Sequence, residues 1–444
     1  MPFIKRLLHV SLLILIGTAL GLSLRALAGS LTSDNQKTYE KLALFGDVLG
    51  IVQEGYVEEP DPEELTANAL NGLLQALDPH SIYEPPASFE AMQKRASREY
   101  GGLGIEVTMG DNGLVHINYV NPEGPAFKAG LKAGDDISHV DGEDIRGKSL
   151  NDAVRNMRGL AGDPITVRVI SPGKPPRDVK IIREVIHGRA VRQRMIKGIG
   201  YVYLETFTSD KAARDLNEAI DLLKKENGGA LPGLILDLRG NGGGLLTQSV
   251  KVASLFLDGG EVVSVRGRKK NDRERYHAKR GRKYAGPLIV LTNSGTASAS
   301  EIVSAALQDR GRALIMGTRT FGKGSVQSVI PLDGGRKGAL RLTTARYFTP
   351  SGRSIQGLGV TPDIWVESHP DDGKSHIRIY ESSLPHALNK IILKTEGQEE
   401  NRKTPKPQYP PKDWPEDKDF QVEQAVKLLK SGLYFSKLHQ AFGE

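Results

Sequence analysis

The sequence predicts an α/β protein in which a β-rich module follows an N-terminal helical region and precedes a core of alternating strands and helices. Three patterns predict this arrangement. Apolar residues recur at helical spacing over 34–98, short alternating strands with glycine-rich turns fill 99–183, and strand–turn–helix units fill 184–368. Because 444 residues are enough for two or three ordinary domains, we expect separately packed domains and a C-terminal extension over 369–444.

The composition is that of a globular protein and excludes several kinds of chemistry. Hydrophobic residues make up 39% and charged residues 25%, which argues against a disordered tail or a multi-span membrane protein. The chain has no cysteine, so disulfides, thiolate metal sites and a cysteine nucleophile are all excluded. Any covalent catalysis must therefore use an oxygen or nitrogen nucleophile.

The net charge of +7 does not indicate nucleic-acid binding. Three of the basic residues lie in residues 1–28, and without them the net charge is +4. The segment 266–283 contains ten Lys and Arg residues and only two acidic residues, Asp272 and Glu274. The rest of the chain after residue 28 is therefore slightly acidic. This basic segment is interpreted as a solvated, flexible loop, with binding to anionic lipid or an acidic partner as the alternative.

Residues 1–28 have the pattern of a signal peptide or a membrane anchor. Lys5 and Arg6 precede an apolar run over 7–24, and residues 26–28 (Ala-Leu-Ala) fit the small-x-small pattern that signal peptidase requires. The run is about as long as the shortest membrane span, so an uncleaved anchor is the alternative to cleavage. In either case we expect export, to the periplasm or the periplasmic face of the inner membrane of a bacterium.

The region 34–98 is predicted to form packing helices. Its helical spacing rests on these apolar residues: Ala43, Val48, Ile51, Val52, Leu65, Leu70, Leu73 and Leu74. The sequence Asp-Pro-His-Ser over 78–81 interrupts the pattern. We interpret its lone His80 as a hydrogen-bonded turn residue rather than a ligand.

The β-rich module carries the first specific motifs. Gly-Leu-Gly-Ile over 102–105 and the run AGLKAGDDI over 129–137 closely resemble a PDZ domain, with a helix predicted over 150–157. In PDZ domains the Gly-x-Gly-apolar loop binds a chain-terminal carboxylate through backbone N–H groups, and the peptide adds as a strand beside a helix. The resemblance implies these peptide-binding residues: Leu103, Gly104, Ile105, Ala153, Val154 and Met157.

Strand–turn–helix units follow after about residue 184. A strand over 234–238 leads into a loop with Gly242, Gly243 and Gly244 and then a helical pattern over 245–257. A second strand over 287–291 leads to Ser298, which is predicted to open a helix that ends before Gly311, and a third strand follows over 313–316.

Two of these features bear on acyl transfer. A serine at a helix N-terminus has its oxygen near free N–H groups, although Ser298 taken alone is an ordinary helix cap. No histidine lies in a motif that marks it as the base for Ser298, so a lysine is the other option. Lys323 lies between two glycines, but its ordinary pKa of about 10.4 must be lowered by burial before it can accept a proton. Phe321 and Val326 would help to bury it, as would Ile330.

The segment 317–323 fits the first seven positions of a phosphate-binding P-loop. The eighth position is Gly324 rather than the Ser or Thr that binds Mg²⁺, and a strand pattern follows where a helix is needed. Nucleotide binding is therefore rejected.

The order of four features strongly resembles the C-terminal processing peptidases, also called tail-specific proteases. They are the PDZ-like module, DLRGNGGG over 237–244, TASASEI over 296–302 and GKGSVQ over 322–327, and the resemblance covers about 34–362. It implies a crotonase-like α/β peptidase core with helical N-terminal elements and an inserted PDZ domain. It also implies a PDZ domain that gates the site.

The resemblance assigns a role to each matching residue. Ser298 matches the nucleophile, Lys323 the general base and Gln327 the residue that orients the lysine. The backbone N–H groups of Gly244 and Ala299 match the oxyanion hole. No metal and no other cofactor is implied.

The function we expect is an exported serine endopeptidase that binds protein C-termini and cleaves the adjoining chain through an acyl-enzyme. The expected partners are protein or peptide C-termini, and no nucleic acid is expected. Three further interactions are left open: an activating or delivery protein, a homo-oligomer, and membrane association through the N-terminal segment. One alternative is a non-catalytic PDZ scaffold in the cell envelope, which predicts loss of catalytic residues that are present here. A crotonase-type acyl-CoA enzyme would need a carboxylate acid/base and has no use for a PDZ domain.

The C-terminal extension has no counterpart that we recognise. Residues 404–415 contain five prolines and indicate a linker, and a short helix is predicted over 420–433. The helix is interpreted either as a solvated appendage or as an oligomerisation or partner-docking helix.

Overall fold

The computed structural model describes residues 36–97, 100–110, 112–121, 124–185, 190–269, 271–371, 373, 377–389 and 404–442. The predicted signal peptide or anchor over 1–28 lies outside the described residues. Among the described residues, no helix combines the length and the apolar character needed to cross a membrane. The chain divides into two units, residues 1–70 and residues 71–444.

The first unit is helical in its described part. Residues 36–55 form α1, and α2 (Pro62–Gln75) begins in this unit. The helices are as predicted. In the part of α2 that belongs to the second unit, Leu74 is buried but Leu73 is 63% exposed. Helical periodicity identifies an apolar face but not what covers it, so the expectation of packing was wrong for Leu73.

The second unit begins with β1 (Ile82–Glu84) and α3 (Pro86–Ser97) and continues into the β-rich module. The elements of the module are β2 (Tyr100–Gly102), β3 (Ile105–Met109), β4 (Val115–Val120), α4 (Pro125–Lys128), β5 (Asp136–Val140), β6 (Glu143–Asp144), α5 (Leu150–Met157), β7 (Gly159–Leu160), β8 (Pro164–Ile170), β9 (Arg177–Ile182) and β10 (Glu184–Val185).

Antiparallel pairing organises this module. The main sheet has the order β3-β4-β5-β8-β9, with β6 on β5, and a second small sheet has the order β10-β2-β7. The alternation of buried and exposed residues along β4 and β8 places Ile117 and Val167 in one core, where Ile137 of β5 joins them. Strand β3 lies at the sheet edge and pairs only with β4 among the described strands.

The remaining elements form the α/β core. They are β11 (Val191–Ile196), β12 (Ile199–Leu204), α6 (Ala212–Glu226), β13 (Leu234–Asp237), α7 (Leu246–Ser254), β14 (Glu261–Gly267), β15 (Arg273–His277), β16 (Leu288–Thr292), α8 (Ala299–Asp309), β17 (Leu314–Gly317), β18 (Ser325–Pro331), β19 (Ala339–Phe348), β20 (Ile364–Trp365), α9 (Phe420–Lys430) and α10 (Tyr434–Phe442).

The central sheet is covered on both faces. Its order is β11-β12-β13-β16-β17-β20, and all pairs except β11 with β12 are parallel. The helices α6, α7 and α8 bury one face, and α9 and α10 bury the other. Strand β13 is buried along its whole length, as expected for a parallel strand between two layers.

The C-terminal helix α9 is part of this core rather than an appendage. Its Ala425 and Val426 pack with Ile235 and Ile289 of the central sheet. Asp419 caps the helix by accepting the backbone N–H of Val422 at 3.1 Å. Both interpretations from the sequence, a solvated appendage and a partner-docking helix, are therefore wrong, because the chain's own sheet covers the apolar face.

A second sheet carries the basic segment. Its order is β1-β19-β14-β15, with β18 also paired to β19. The segment 266–283 was expected to be a flexible loop, yet it contains the end of β14 and the whole of β15, which pair as an antiparallel hairpin. Val262 and Val263 of β14 are buried in the main core, which gives this hairpin a fixed base.

Candidate active site

Ser298 lies where β16 ends and α8 begins, and its backbone is strained. Its φ of 55° falls in the left-handed region that residues with a side chain rarely adopt. The preceding turn is fixed by the Thr296 hydroxyl, which donates to Leu238 O at 2.8 Å, and by the Ala297 N–H, which donates to Asn241 O at 3.0 Å. The surrounding structure therefore holds a half-buried serine in a conformation that it would not choose alone.

The glycine-rich loop after β13 lies directly against this serine. A Cβ on Gly243, whose φ is +97°, would lie 2.8 Å from Ser298 Cβ and 2.9 Å from the backbone N of Ala299. A Cβ on Gly244 would lie 2.3 Å from the backbone of Phe207. Glycine at 243 thus lets the loop approach Ser298, and glycine at 244 lets it pack against Phe207.

Two backbone donors predicted to form an oxyanion hole are not used by the protein itself. Among the hydrogen bonds of the described residues, none involves the N–H of Gly244 or that of Ala299. A Cβ on Gly243, the residue before Gly244, would lie 2.9 Å from Ala299 N, so the glycine loop passes close to the start of α8. Free N–H groups at a helix start can bind a negatively charged oxygen.

Lys323 is half-buried in the loop before β18. Burial lowers the pKa of its ammonium group below the ordinary value of 10.5, and Arg341 acts in the same direction, whereas Glu381, Asp78 and Glu301 act to raise it. No described carboxylate lies within ion-pair distance of this ammonium group. The environment therefore favours the neutral amine more than water does.

Glu301, to which no role was assigned from the sequence, joins Ser298 to the loop that carries Lys323. We call this loop, residues 320–324, the lysine loop. Its Oε2 accepts the backbone N–H of Ser298 at 2.8 Å and that of Lys323 at 2.9 Å. Its Oε1 accepts the Gly322 N–H at 2.7 Å and the Thr320 hydroxyl at 2.5 Å. A Ser followed three residues later by Glu is a helix N-terminal signal, so the first of these contacts was readable in the sequence. The contacts of Glu301 with the loop that carries Lys323 could not be predicted from the sequence.

Gln327 contacts a second polar network. Its Nε2 donates to Ser325 Oγ at 3.0 Å and to Thr343 Oγ1 at 3.1 Å, and no hydrogen bond to Lys323 occurs among the described residues. Thr343 in turn donates to Asp78 Oδ1 at 3.0 Å. Burial acts to raise the pKa of Asp78, but hydrogen bonds from Ser81 and neighbouring groups outweigh it and hold the pKa below 3.8. Gln327 is therefore held by an ionised carboxylate through Thr343.

His80 is a bonded residue, as the sequence indicated, but its partner lies far along the chain. Its Nε2 lies 2.9 Å from both carboxylate oxygens of the fully buried Glu381. Gln356 donates to the same carboxylate at 2.9 Å, and its Oε1 accepts the Gly324 N–H at 3.0 Å. This chain of contacts holds the backbone at Gly324, the residue after Lys323.

The edge strand β3 and helix α5 of the β-rich module both carry apolar side chains that are only partly buried. The partly buried side chains Ile105 and Val154 lie on these two elements and pack on the module's core. Ala153 is 0% exposed and Met157 is 5% exposed. These two side chains belong to the core and do not line an open groove, contrary to the expectation, because they occupy the inner face of an amphipathic helix.

The loop before β3 is rigid. The carbonyl of Leu103 accepts the Ala126 N–H at 3.0 Å, and that of Gly104 accepts the Asn121 N–H at 2.8 Å. Gly104 has a φ of +73°, which suits a glycine. The Leu103 side chain is buried, so this loop can offer its backbone rather than that side chain to a ligand. Within the described part of the chain, no three His, Asp or Glu side chains form a cluster that could hold a metal ion.

Comparison with known proteins agrees with this arrangement. The model of peptidase family S41 matches residues 198–366, and that of the PDZ domain matches residues 92–170. The chain is 47% identical over 433 residues to the carboxy-terminal-processing protease of Bartonella bacilliformis, and the matched region covers 96% of each chain. It is 33% identical over 325 residues to the carboxy-terminal processing protease CtpA of Bacillus subtilis, and the matched region covers 73% of this chain and 68% of that one.

Among solved structures, the photosystem II D1 C-terminal processing protease is 32% identical, with a TM-score of 0.43 and coverage of 73% of this chain and 92% of that one. The identity to the Bartonella protein extends over nearly the whole length and includes both the peptidase core and the β-rich module. The chain therefore belongs to the carboxy-terminal-processing proteases of peptidase family S41, serine-type peptidases with a PDZ domain.

Proposed function

We propose that this protein is an exported endopeptidase that binds protein C-termini in its PDZ groove and cleaves the adjoining chain with Ser298 and Lys323. The observation that carries this proposal is the shared contact of both residues with the Glu301 carboxylate. The close approach of Gly243 to Ser298 supports it, because it brings unused N–H groups beside the serine.

The proposed mechanism begins with attack of Ser298 Oγ on the scissile carbonyl carbon, while neutral Lys323 takes the hydroxyl proton. The carbonyl oxygen becomes an oxyanion and accepts hydrogen bonds from the N–H groups of Gly244 and Ala299. The C–N bond then breaks as Lys323 returns the proton to the leaving amine. Water, deprotonated by the same lysine, hydrolyses the acyl-enzyme and restores Ser298. Gln327 acts as a positioning residue, because it holds the start of β18, the strand that follows Lys323.

Substrate capture is assigned to the groove between β3 and α5. An extended C-terminal segment would pair with the free edge of β3, and its terminal carboxylate would bind backbone N–H groups of the loop Leu103–Ile105. An apolar terminal side chain would contact Ile105 and Val154, which are only partly buried. Export is supported by the basic, apolar and small-residue pattern over 1–28.

Cleavage assays with the protein produced from the full chain test the catalytic assignment. The substrate is an unstructured protein with an apolar C-terminus, and the variants are Ser298→Ala and Lys323→Ala. Ser294→Ala serves as the control, because it removes a neighbouring hydroxyl from the same turn. We expect cleavage by the parent and the control only; cleavage by Ser298→Ala would refute the proposed nucleophile.

The PDZ assignment has its own test, which does not require cleavage. Binding of a peptide with an apolar C-terminus is measured on the Ser298→Ala protein. Adding Val154→Asp should weaken binding by about tenfold, because it places a charge in an apolar groove. Arg155→Asp is the control, since its side chain is exposed on the same helix. Equal loss in both variants, or no loss in either, would contradict the assigned groove.

A further inference from the structure

Three arginines lie side by side across the second sheet. Arg266 of β14 is directly opposite Arg273 of β15 on one side and Arg346 of β19 on the other. We call these three residues the arginine row. Ser325, the first residue of β18, pairs with Arg346 and continues the row on the same face.

Like charges directly opposite each other destabilise a sheet, and of the acidic side chains only Glu261 acts to raise the pKa of Arg266 against its arginine neighbours. No described carboxylate forms an ion pair with any member of the arginine row. The Nε of Arg266 and the Oγ of Ser264, two residues before it on the same face, are buried without a hydrogen-bond partner. Burial lowers the pKa of Arg266, and the neighbouring Arg273 lowers it further. The cluster therefore holds an excess of positive charge with no ion-pair partner among the described residues.

A cleft of about 290 Å³ opens over these residues. It is lined by Arg266, Arg268 and Arg346, together with residues 343–345 of β19, Phe348 and Leu388. The Arg266 guanidinium stacks on the Phe348 ring at 4.0 Å, which fixes its plane. The Arg346 Nη1 is held by the carbonyl of Asn389 at 3.1 Å. Two guanidinium groups are thus pre-oriented beside open space.

The arginine row lies next to the strand that follows Lys323 of the proposed active site. Residues 325 and 327 of β18 share one face, and Ser325 Oγ accepts a hydrogen bond from Gln327. Lys323 lies two residues before Ser325 in the same segment. A polypeptide held near Lys323 would therefore meet the arginine row as it continued across the sheet.

We propose that the arginine row is a substrate subsite that binds carboxylate side chains of the polypeptide being cleaved. This inference rests on the proposed function and adds a preference for Asp or Glu near the cut. Guanidinium groups bind carboxylates through two parallel hydrogen bonds, and the cleft is lined by the arginines at 266, 268 and 346. Arg266 and Arg346 are half-buried in the cleft, so a single extended chain can reach them more easily than a flat lipid surface.

Peptide binding to the Ser298→Ala protein tests the subsite separately from catalysis. The probes are apolar-tailed peptides that carry Glu, or Gln as the neutral match, at each position in turn. One Glu position should bind about five- to tenfold more tightly than its Gln counterpart at low salt. Arg273→Gln and Arg346→Gln should reduce this ratio towards one. Arg280→Gln, an equal charge change on an exposed residue outside the row, should retain it.

Thermal unfolding checks the fold of each variant, and Arg346→Lys keeps the charge if Arg346→Gln does not fold. No Glu preference, or equal loss with Arg280→Gln, would overturn the subsite. Binding of vesicles with anionic lipid that depends on the row, without a peptide preference, would also overturn it. If the parent cleaves nothing while the row-dependent preference persists, the subsite stands and the proposed catalytic function fails.

Discussion

Ser298 and Lys323 donate their backbone N–H groups to the same atom, Oε2 of Glu301, at 2.8 and 2.9 Å. The other carboxylate oxygen accepts from Thr320 and Gly322. Burial raises the pKa of this carboxyl group to about 7, although all four hydrogen bonds act to lower it. One buried side chain thus fixes the start of α8 and the lysine loop relative to each other.

Replacing Glu301 with Gln should destabilise the protein and abolish cleavage. The amide has one acceptor oxygen, and its NH₂ group would face N–H donors that are left without a partner. We expect a loss of about 3 kcal/mol in the free energy of unfolding, measured by urea titration. The exposed Glu226→Gln is the matched control and should change little. Unchanged stability in Glu301→Gln would contradict the linking role.

Glu301 should also make the stability depend on pH in a defined direction. Its pKa is about 7 in the folded protein and about 4.5 when unfolded, so the unfolded state ionises first as the pH rises. Its contribution is therefore fully present below pH 4.5 and is lost as the pH rises through 7, by about 3 kcal/mol. The measurement is the free energy of unfolding at pH 5 and pH 7.5 in parent and Glu301→Gln. The parent should lose more stability than the variant; an equal or smaller loss would be against this account.

Gly243→Ala should abolish activity while the protein still folds. The new Cβ would lie 2.8 Å from Ser298 Cβ, so the turn that holds Ser298 must shift. The φ of +97° at residue 243 adds strain, because alanine rarely adopts it. Gly240→Ala is a control in the same loop, since its φ of +70° costs about 1 kcal/mol but its Cβ meets open space. Cleavage rates and thermal unfolding are measured for both. Equal activity in the two variants would show that the close approach is not needed.

Thr343→Val should lower kcat by about tenfold with little change in KM. It removes the hydroxyl that joins Asp78 to Gln327 and keeps the shape of the side chain. Thr343→Ser should restore most of the rate. Ser328→Ala is the control, because its hydroxyl bonds Thr344 instead and lies outside the cleft. A rise in KM alone, or failure of serine to rescue, would exclude a positioning role.

Glu381→Gln should shift the pH dependence of cleavage to lower pH. The Glu381 carboxylate acts to raise the pKa of Lys323, against burial, and removing its charge should let that pKa fall further. The rising limb of kcat/KM against pH, which reports the free base, should therefore begin at lower pH than in the parent. Glu367→Gln removes a buried carboxylate that pairs with Arg378 and should leave the limb in place. A shift to higher pH in Glu381→Gln would contradict Lys323 as the base.

Local elements of the fold were predictable from the sequence because their signals are local. Helix α5 covers residues 150–157, where a helix was predicted, and β13 covers the apolar run that begins at Leu234. Ser298 and Lys323 were proposed as site residues from short motifs with fixed residue types. These features depend on neighbours within a few positions.

The parts that could not be predicted depend on distant contacts. The amphipathic pattern of α9 indicates an apolar face but not that Ile235 and Ile289 cover it. His80 reads as a turn residue, yet its buried partner is Glu381. Such long-range partners leave no periodic trace in a single sequence, so the support around Lys323 emerged only from the fold.

The acyl-enzyme is the central claim, and its direct test is the mass of the protein during turnover. Parent, Ser298→Ala and Lys323→Ala are mixed with an apolar-tailed substrate, quenched in acid within milliseconds and digested. The parent should carry substrate-derived mass on the peptide containing Ser298, and neither variant should. Cleavage of substrate by Ser298→Ala, or covalent mass on another residue of the parent, would contradict the account.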